Sequence, residues 1–199
     1  MSRPASVSIH CELYRYWIAK RGGRRMPRRR DIDPGDLPAL LPHLMLIDRV
    51  ADQYRYRLVG TTVADELGRE LTNQIVGSYV PEPEYAAAIV GMYHRVFASG
   101  RAVFHTGEYR RKSGVVHAVS RLLVPLSEDG ASVNMVLLTR VARCGTNFVA
   151  AADWLKDVQG TVRSLVEVDS LAALQGLTAE WERQVTLGRP GAPFERAAR

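Results

Sequence analysis

Two arginines are placed where a charge is costly. Arg57 lies in YRYRLVG and Arg121 in SRLLVPL, runs whose other members are mostly apolar or aromatic. A guanidinium keeps its proton at any accessible pH, so burying one demands a carboxylate, a phosphate or another anion beside it. Tyr54, Tyr56 and Leu58 alternate with Arg55, Arg57 and Val59, which sets Arg57 and Val59 on the face of a strand opposite the aromatics. Two kinds of partner stay open for Arg57: a protein carboxylate such as Asp48 or Asp65, or an anionic ligand. A second chemistry is offered by the run RGGRRMPRRR, in which Arg24, Arg25, Arg28, Arg29 and Arg30 could neutralise phosphates. The run has no interleaved aromatic, no zinc ligands and no helix-turn-helix pattern. Any affinity it confers for nucleic acid or anionic lipid headgroups is therefore independent of sequence. A solvated linker, or a segment docking on an acidic partner surface, explains the same residues.

Catalytic constellations are missing from the sequence. There is no Gly-x-Ser-x-Gly elbow, no Walker-type loop, no His-Glu-x-x-His and no Gly-rich dinucleotide fingerprint. The scattered Ser, His and Asp residues prefer no triad, so a non-enzyme is expected. Cys11 and Cys144 lie far apart and neither has a Cys or His at metal-ligand spacing, which argues against a disulfide framework, a zinc module or any other metal site.

The elements that must position these residues follow from periodicity. Leu13, Trp17 and Ile18, with Tyr14 and Tyr16 alongside, predict an amphipathic helix over residues 11–20. RGGRRMPRRRDIDP then reads as an exposed linker. Asp33 before Pro34 predicts a helix cap, with Leu37, Leu40 and Leu41 on the apolar side. LMLIDRV and YRYRLVG predict two strands joined through ADQ as a hairpin. A short helix through Val63 and Leu67 closes at Gly68. The strongest helix spans about 81–99: Tyr85, Ile89, Tyr93, Val96 and Phe97 form one face, Glu82 and Glu84 suit its start, and Gly100 ends it. RAVFHTGEYR, VVHAVSRLLVPL and SVNMVLLTRVA predict three further strands in an antiparallel meander. Leu155, Val158, Val162 and Leu165, then Leu171, Leu174, Leu177, Trp181 and Val185, predict two C-terminal helices before a disordered tail.

With 199 residues, 46% hydrophobic and 24% charged, the chain suits one domain with extensions and has a soluble protein's balance. The net charge of +6 is concentrated: residues 1–30 hold nine Lys and Arg against Glu12 alone, while the rest is nearly neutral. No apolar run is long enough to span a membrane and the start does not read as a secretory signal, which makes the cytoplasm the default expectation. The organisation expected is a basic helix and linker over 1–30, an α+β domain over 31–141 and a helical extension over 142–199. The domain itself reads as a five-stranded antiparallel sheet with helices on one face.

That element order is that of the PAS fold. The words YRYW, RRMPRRRDIDP, LPHLMLIDRV, YRYRLVGT, ELGRELTNQ and SRLLVPLSEDG resemble, in order and spacing, a bacterial family of small stand-alone PAS proteins over roughly residues 13–141. The resemblance implies a non-catalytic sensory or adaptor domain in bacterial signalling, with no ligand assigned. PAS domains hold ligands between the sheet and the long helix, and strand parity turns Arg57 toward that space. Arg121, Tyr93, His117, Met135 and His105 are expected to line the same cavity, although on apolar strands such residues also serve as ordinary core. The photoactive flavin version needs a reactive cysteine inside the domain, which the positions of Cys11 and Cys144 argue against. The haem version needs a histidine on the long helix facing the pocket. His94 is on that helix, and a half-exposed, locally bonded histidine is the expected reading. Leu13, Trp17 and Ile18 are expected to cover the sheet of their own or a partner subunit, giving a homodimer. The alternative function is a nucleic-acid or anionic-surface binder working through the basic arm.

Overall fold

The structure, a computed structural model, describes residues 6–111, 116–144 and 158–187. In chain order it forms α1 (Ser6–Arg21), three 3-10 turns within residues 29–43, β1 (Leu44–Val50), β2 (Gln53–Val59), α2 (Thr61–Leu67) and α3 (Pro83–Ser99). Then come β3 (Ala102–Arg111), β4 (Val116–Leu126), β5 (Met135–Cys144), β6 (Val158–Val168) and α4 (Leu171–Thr186). One antiparallel sheet runs β2-β1-β5-β4-β3-β6.

The sheet has six strands where the sequence predicts five, because Val158, Val162 and Leu165 belong to β6 and not to a helix. Their i, i+4 and i+7 spacing also fits a strand once Thr161, Val166 and Val168 are counted, since β-branched residues favour a pleated surface. The free edge of β3 decides the outcome: β6 pairs with it from Ala102↔Val168 to Arg111↔Val158. Leu155, like the tail from residue 188 onward, lies outside the described residues. The second predicted C-terminal helix is α4, where Ser170 caps the first turn by accepting from Ala173 N at 3.2 Å.

Helices cover both faces of the sheet, not one. SRLLVPL is apolar on both parities, so neither face of β4 can be left wet. On one face α1 and α4 pack Ile9, Leu13, Trp17, Leu174 and Trp181 against Phe104, Leu122, Val124 and Leu137. On the other, α2 and α3 pack Val63, Leu67, Ile89, Met92, Tyr93 and Val96 against Ile47, Val103, Val119, Leu123 and Leu138. Leu13 and Trp17 are thus buried within their own chain, and the Trp17 indole N–H donates to the Pro125 carbonyl at 2.8 Å. Ile18 is half-buried beside them. The homodimer expectation loses the surface on which it rested.

The basic run is exposed over residues 22–25, as expected of a linker, but is anchored to the domain beyond them. Met26 is fully buried in the α1 face core, Arg29 N donates to Ser127 O at 3.1 Å and Ser127 N to Pro27 O at 3.0 Å. Its arginines are largely engaged within the chain: Arg24 reaches Asp31 at 2.7 Å, Arg25 the Ser99 carbonyl at 2.6 Å and Arg29 the Ile32 carbonyl at 3.1 Å. Arg28 is half-buried and donates from its backbone to Asp31, whereas Arg30 is exposed.

Candidate functional site: a buried polar core under α3

The α3 face of the sheet carries a layer of charged and phenolic groups beneath its apolar contacts. Side chains two residues apart on a strand share a face. Accordingly Arg121 of β4 stands in line with Val119 and Leu123, and Arg140 of β5 with Val136 and Leu138. Arg121 is 5% exposed and Arg140 3%. Arg140 pairs with Glu66, which α2 delivers from the end of its last turn and which is itself buried. Arg121 has neutral partners: its Nη1 meets His105 Nδ1 at 3.1 Å and its Nη2 donates to the Tyr109 hydroxyl at 2.5 Å, both residues coming from β3. Among the described residues no carboxylate forms an ion pair with Arg121.

Tyrosines complete the layer. Tyr56 and Tyr79 bring their hydroxyls to 3.4 Å of each other, Tyr93 is buried on α3, and the Tyr85 ring meets Tyr109 edge-on with centroids 5.5 Å apart. Tyr85 needs room that only a glycine leaves: a Cβ on Gly160 of β6 would lie 2.3 Å from its ring. Gly160 N also donates to Glu82 at 3.2 Å, so β6 is tied to the start of α3.

The electrostatics follow from two buried guanidiniums against one buried carboxylate. Burial alone raises a phenol, and it pushes Tyr56, Tyr79, Tyr85 and Tyr93 up. At Tyr109 burial acts the same way, but the Arg121 and Arg140 charges outweigh it and bring the phenol down to about 8. His105 is held well below its ordinary value by burial, then by Arg121, and stays neutral. Arginine only donates, so His105 Nδ1 must accept from Arg121, and the imidazole proton sits on Nε2. That Nε2 is buried without a hydrogen-bond partner. It is a donor and would be satisfied by an acceptor such as an oxyanion or water.

The residues expected to line the pocket divide between places. Arg121, Tyr93, His105 and His117 come together on the α3 face, His117 sharing the strand parity of Arg121. Arg57 does not join them. A register shift pairs Leu46 with Leu58 and Ile47 with Tyr56, leaving Arg57 as the extra residue of a bulge. Its side chain is 47% exposed, with Nε 3.7 Å from Asp48. The aromatics that parity assigned to the other layer, Tyr54 and Tyr56, pack under α3, because two large rings gain more by burial there than an arginine could. Met135 is likewise displaced: it packs on the α1 face core.

His94 is exposed on α3, with Nδ1 2.8 Å from the Tyr54 hydroxyl, and Cys11 is buried in α1 across the sheet. Neither is placed for the haem or flavin chemistry described above. The side chain of Cys144 lies outside the described residues. Among those residues no cluster of three His, Cys, Asp or Glu could hold a metal ion, and no helix is long and apolar enough to cross a membrane. Sequence reading missed Tyr109, Tyr85, Glu66 and Arg140 as members. The one available signal was Arg140 in LLTRVA, a second arginine inside an apolar strand.

Comparison with known proteins supplies the family. No curated protein matches the chain. A solved structure described as "Structure of an RNA-binding Light-Oxygen-Voltage Receptor" is similar at 12% identity and a TM-score of 0.38, the match covering 81% of this chain and 41% of that one. The chain thus spans less than half the length of that protein. The PAS domain family matches residues 5–138, from α1 into β5, a span that holds α2, α3, His105, Tyr109 and Arg121. On that match the chain belongs to the PAS domain family.

Proposed function

We propose that the chain is a non-catalytic sensory PAS domain whose input is a small oxyanion taken up beside Arg121. The observation that carries this reading is a guanidinium 5% exposed whose hydrogen-bond partners, His105 and Tyr109, are neutral near pH 7. An unpaired buried charge costs several kcal/mol. Two sources can neutralise it: the Tyr109 phenol, which ionises only from about pH 8 upward, or an anion that also accepts from His105 Nε2. Near neutrality the anion is the better source.

Output follows the contacts of this layer. An anion on Arg121 reorients Tyr85, which presses on Gly160 of β6. Tyr109 is adjacent to Glu108, which bonds Arg163 of β6 at 2.8 Å. Both routes reach β6 and then α4, so ligand binding shifts the population of β6–α4 packings that a signalling partner reads.

Thermal melts at pH 7 with acetate, nitrate and inorganic phosphate at matched ionic strength test this. Wild type and the exposed-edge control Arg57→Met should gain melting temperature from at least one of these anions, and Arg121→Met should not. The gain should also shrink above pH 8 as Tyr109 supplies its own charge. An equal response in wild type and Arg121→Met ends the proposal.

A further inference from the structure

A cleft lies outside the α3 core, between the C-terminal turn of α1, the start of β3 and the β6–α4 junction. It is a cleft of about 430 Å³, within the roughly 300–1,000 Å³ of small-molecule sites. Its charged lining is Arg21, Arg25 and Arg101 against Asp169. Its inner wall is Tyr14 and Trp17, whose rings stack at 24° with centroids 5.9 Å apart.

The arginines are held differently and to one purpose. Arg21 lies over the Trp17 ring at 5.3 Å, and its Nε is buried without a hydrogen-bond partner. Arg25 crosses the end of α3, where its Nη2 donates to Ser99 O at 2.6 Å. Gly100 leaves room for that crossing: the residue has a φ of +63°, and a Cβ there would lie 2.9 Å from Arg25 Nη2. Arg101 is 64% exposed and shares Glu167 with Arg95 at a loose 3.6 Å, leaving most of its donors free for a ligand. Three fixed or nearby guanidiniums against one carboxylate leave an excess of about two positive charges, which matches the −1.5 to −2 of a phosphate monoester at pH 7.

We propose that this cleft binds a small phosphate monoester with a flat organic body, of the nucleoside monophosphate type. The guanidiniums take the phosphate in the bidentate manner that arginine favours, and the outer face of Arg21, stacked on Trp17, supports a planar ring. The site is independent of the oxyanion at Arg121, which lies on the other face of the sheet. Asp169 lies beyond the family match that ends at residue 138, so the cleft is built jointly by the PAS region and its C-terminal extension. A ligand here would clamp the β6–α4 junction to α1.

Titration calorimetry of the full chain with adenosine 5′-monophosphate tests the assignment, with adenosine and inorganic phosphate as separate arms. Saturable binding of the monophosphate is expected, at least about tenfold tighter than either fragment, since charge and ring both contribute. Arg25→Gln/Arg101→Gln should weaken it by about tenfold or more, Asp169→Asn should tighten it, and Arg121→Met should leave it unchanged. Circular dichroism melts check that each variant is folded. The proposal is overturned by absence of saturation, by either fragment binding to Arg121→Met as tightly as the whole does, or by equal affinity in wild type and both Asp169→Asn and the double arginine variant. Loss of binding in Arg121→Met with retention in the double variant would move the phosphate to the α3 core and overturn it equally.

Discussion

Removing the Tyr109 hydroxyl should change how stability depends on pH. In the folded chain the phenol titrates at about 8, against an ordinary value near 10. A depressed acid contributes stability that is fully present above its unfolded value and is lost as pH falls through its folded one. Wild type should therefore gain stability between pH 8 and pH 10. A tenfold change in an ionisation constant is worth about 1.4 kcal/mol, so the gain is on the order of 2–3 kcal/mol. Tyr109 is 2% exposed, so solvent screening does not reduce this. The window closes near pH 10, where the upward-shifted Tyr56, Tyr79 and Tyr85 begin to ionise in the unfolded state and destabilise the fold. Urea denaturation of wild type and Tyr109→Phe at pH 7, 8, 9 and 10, in buffer free of small oxyanions, reads the difference directly. Ultraviolet absorbance of the folded wild type should show one tyrosinate forming ahead of the others. Parallel stability curves for the two proteins would refute a phenol lowered by Arg121 and Arg140, and with it the excess buried positive charge.

Three further outcomes follow from the same contacts. Arg140→Met removes the guanidinium that pairs with Glu66 in the core and should cost about 3–5 kcal/mol in urea denaturation, part of it recovered by adding Glu66→Gln. Gly160→Ala forces Tyr85 off β6 and should lower stability by about 1–3 kcal/mol while speeding amide exchange in β6 ahead of β4. His10, fully buried between Thr139 and Ser120, is held by burial and by His43 at about 3; folded stability should fall progressively as pH drops from 6.5 toward 3, and His10→Gln should flatten that acid limb.

Local pattern was enough for much of the molecule. The α3 stripe from Tyr85 to Val96, its stop at Gly100, the β1–β2 hairpin and the β3–β4–β5 meander are all written in short-range periodicity and turn chemistry. The choice of Arg121 as a residue under chemical constraint also needed only its type and its apolar neighbours. Tertiary structure decided what depends on distant partners. VQGTVRSLVEV suits a helix or a strand by spacing, and only the open edge of β3 makes it β6. Arg57 lies outside the pocket because Tyr54 and Tyr56 are the residues of β2 that turn toward α3, and which face of a strand meets a helix is decided by the packing of distant elements. Glu66 and Arg140 lie 74 residues apart, and their pairing gives neither run a local signature. The cleft at Arg21, Arg25 and Arg101 is the same case: α1, β3 and the β6–α4 junction each contribute part of a wall that forms only where the sheet brings them together.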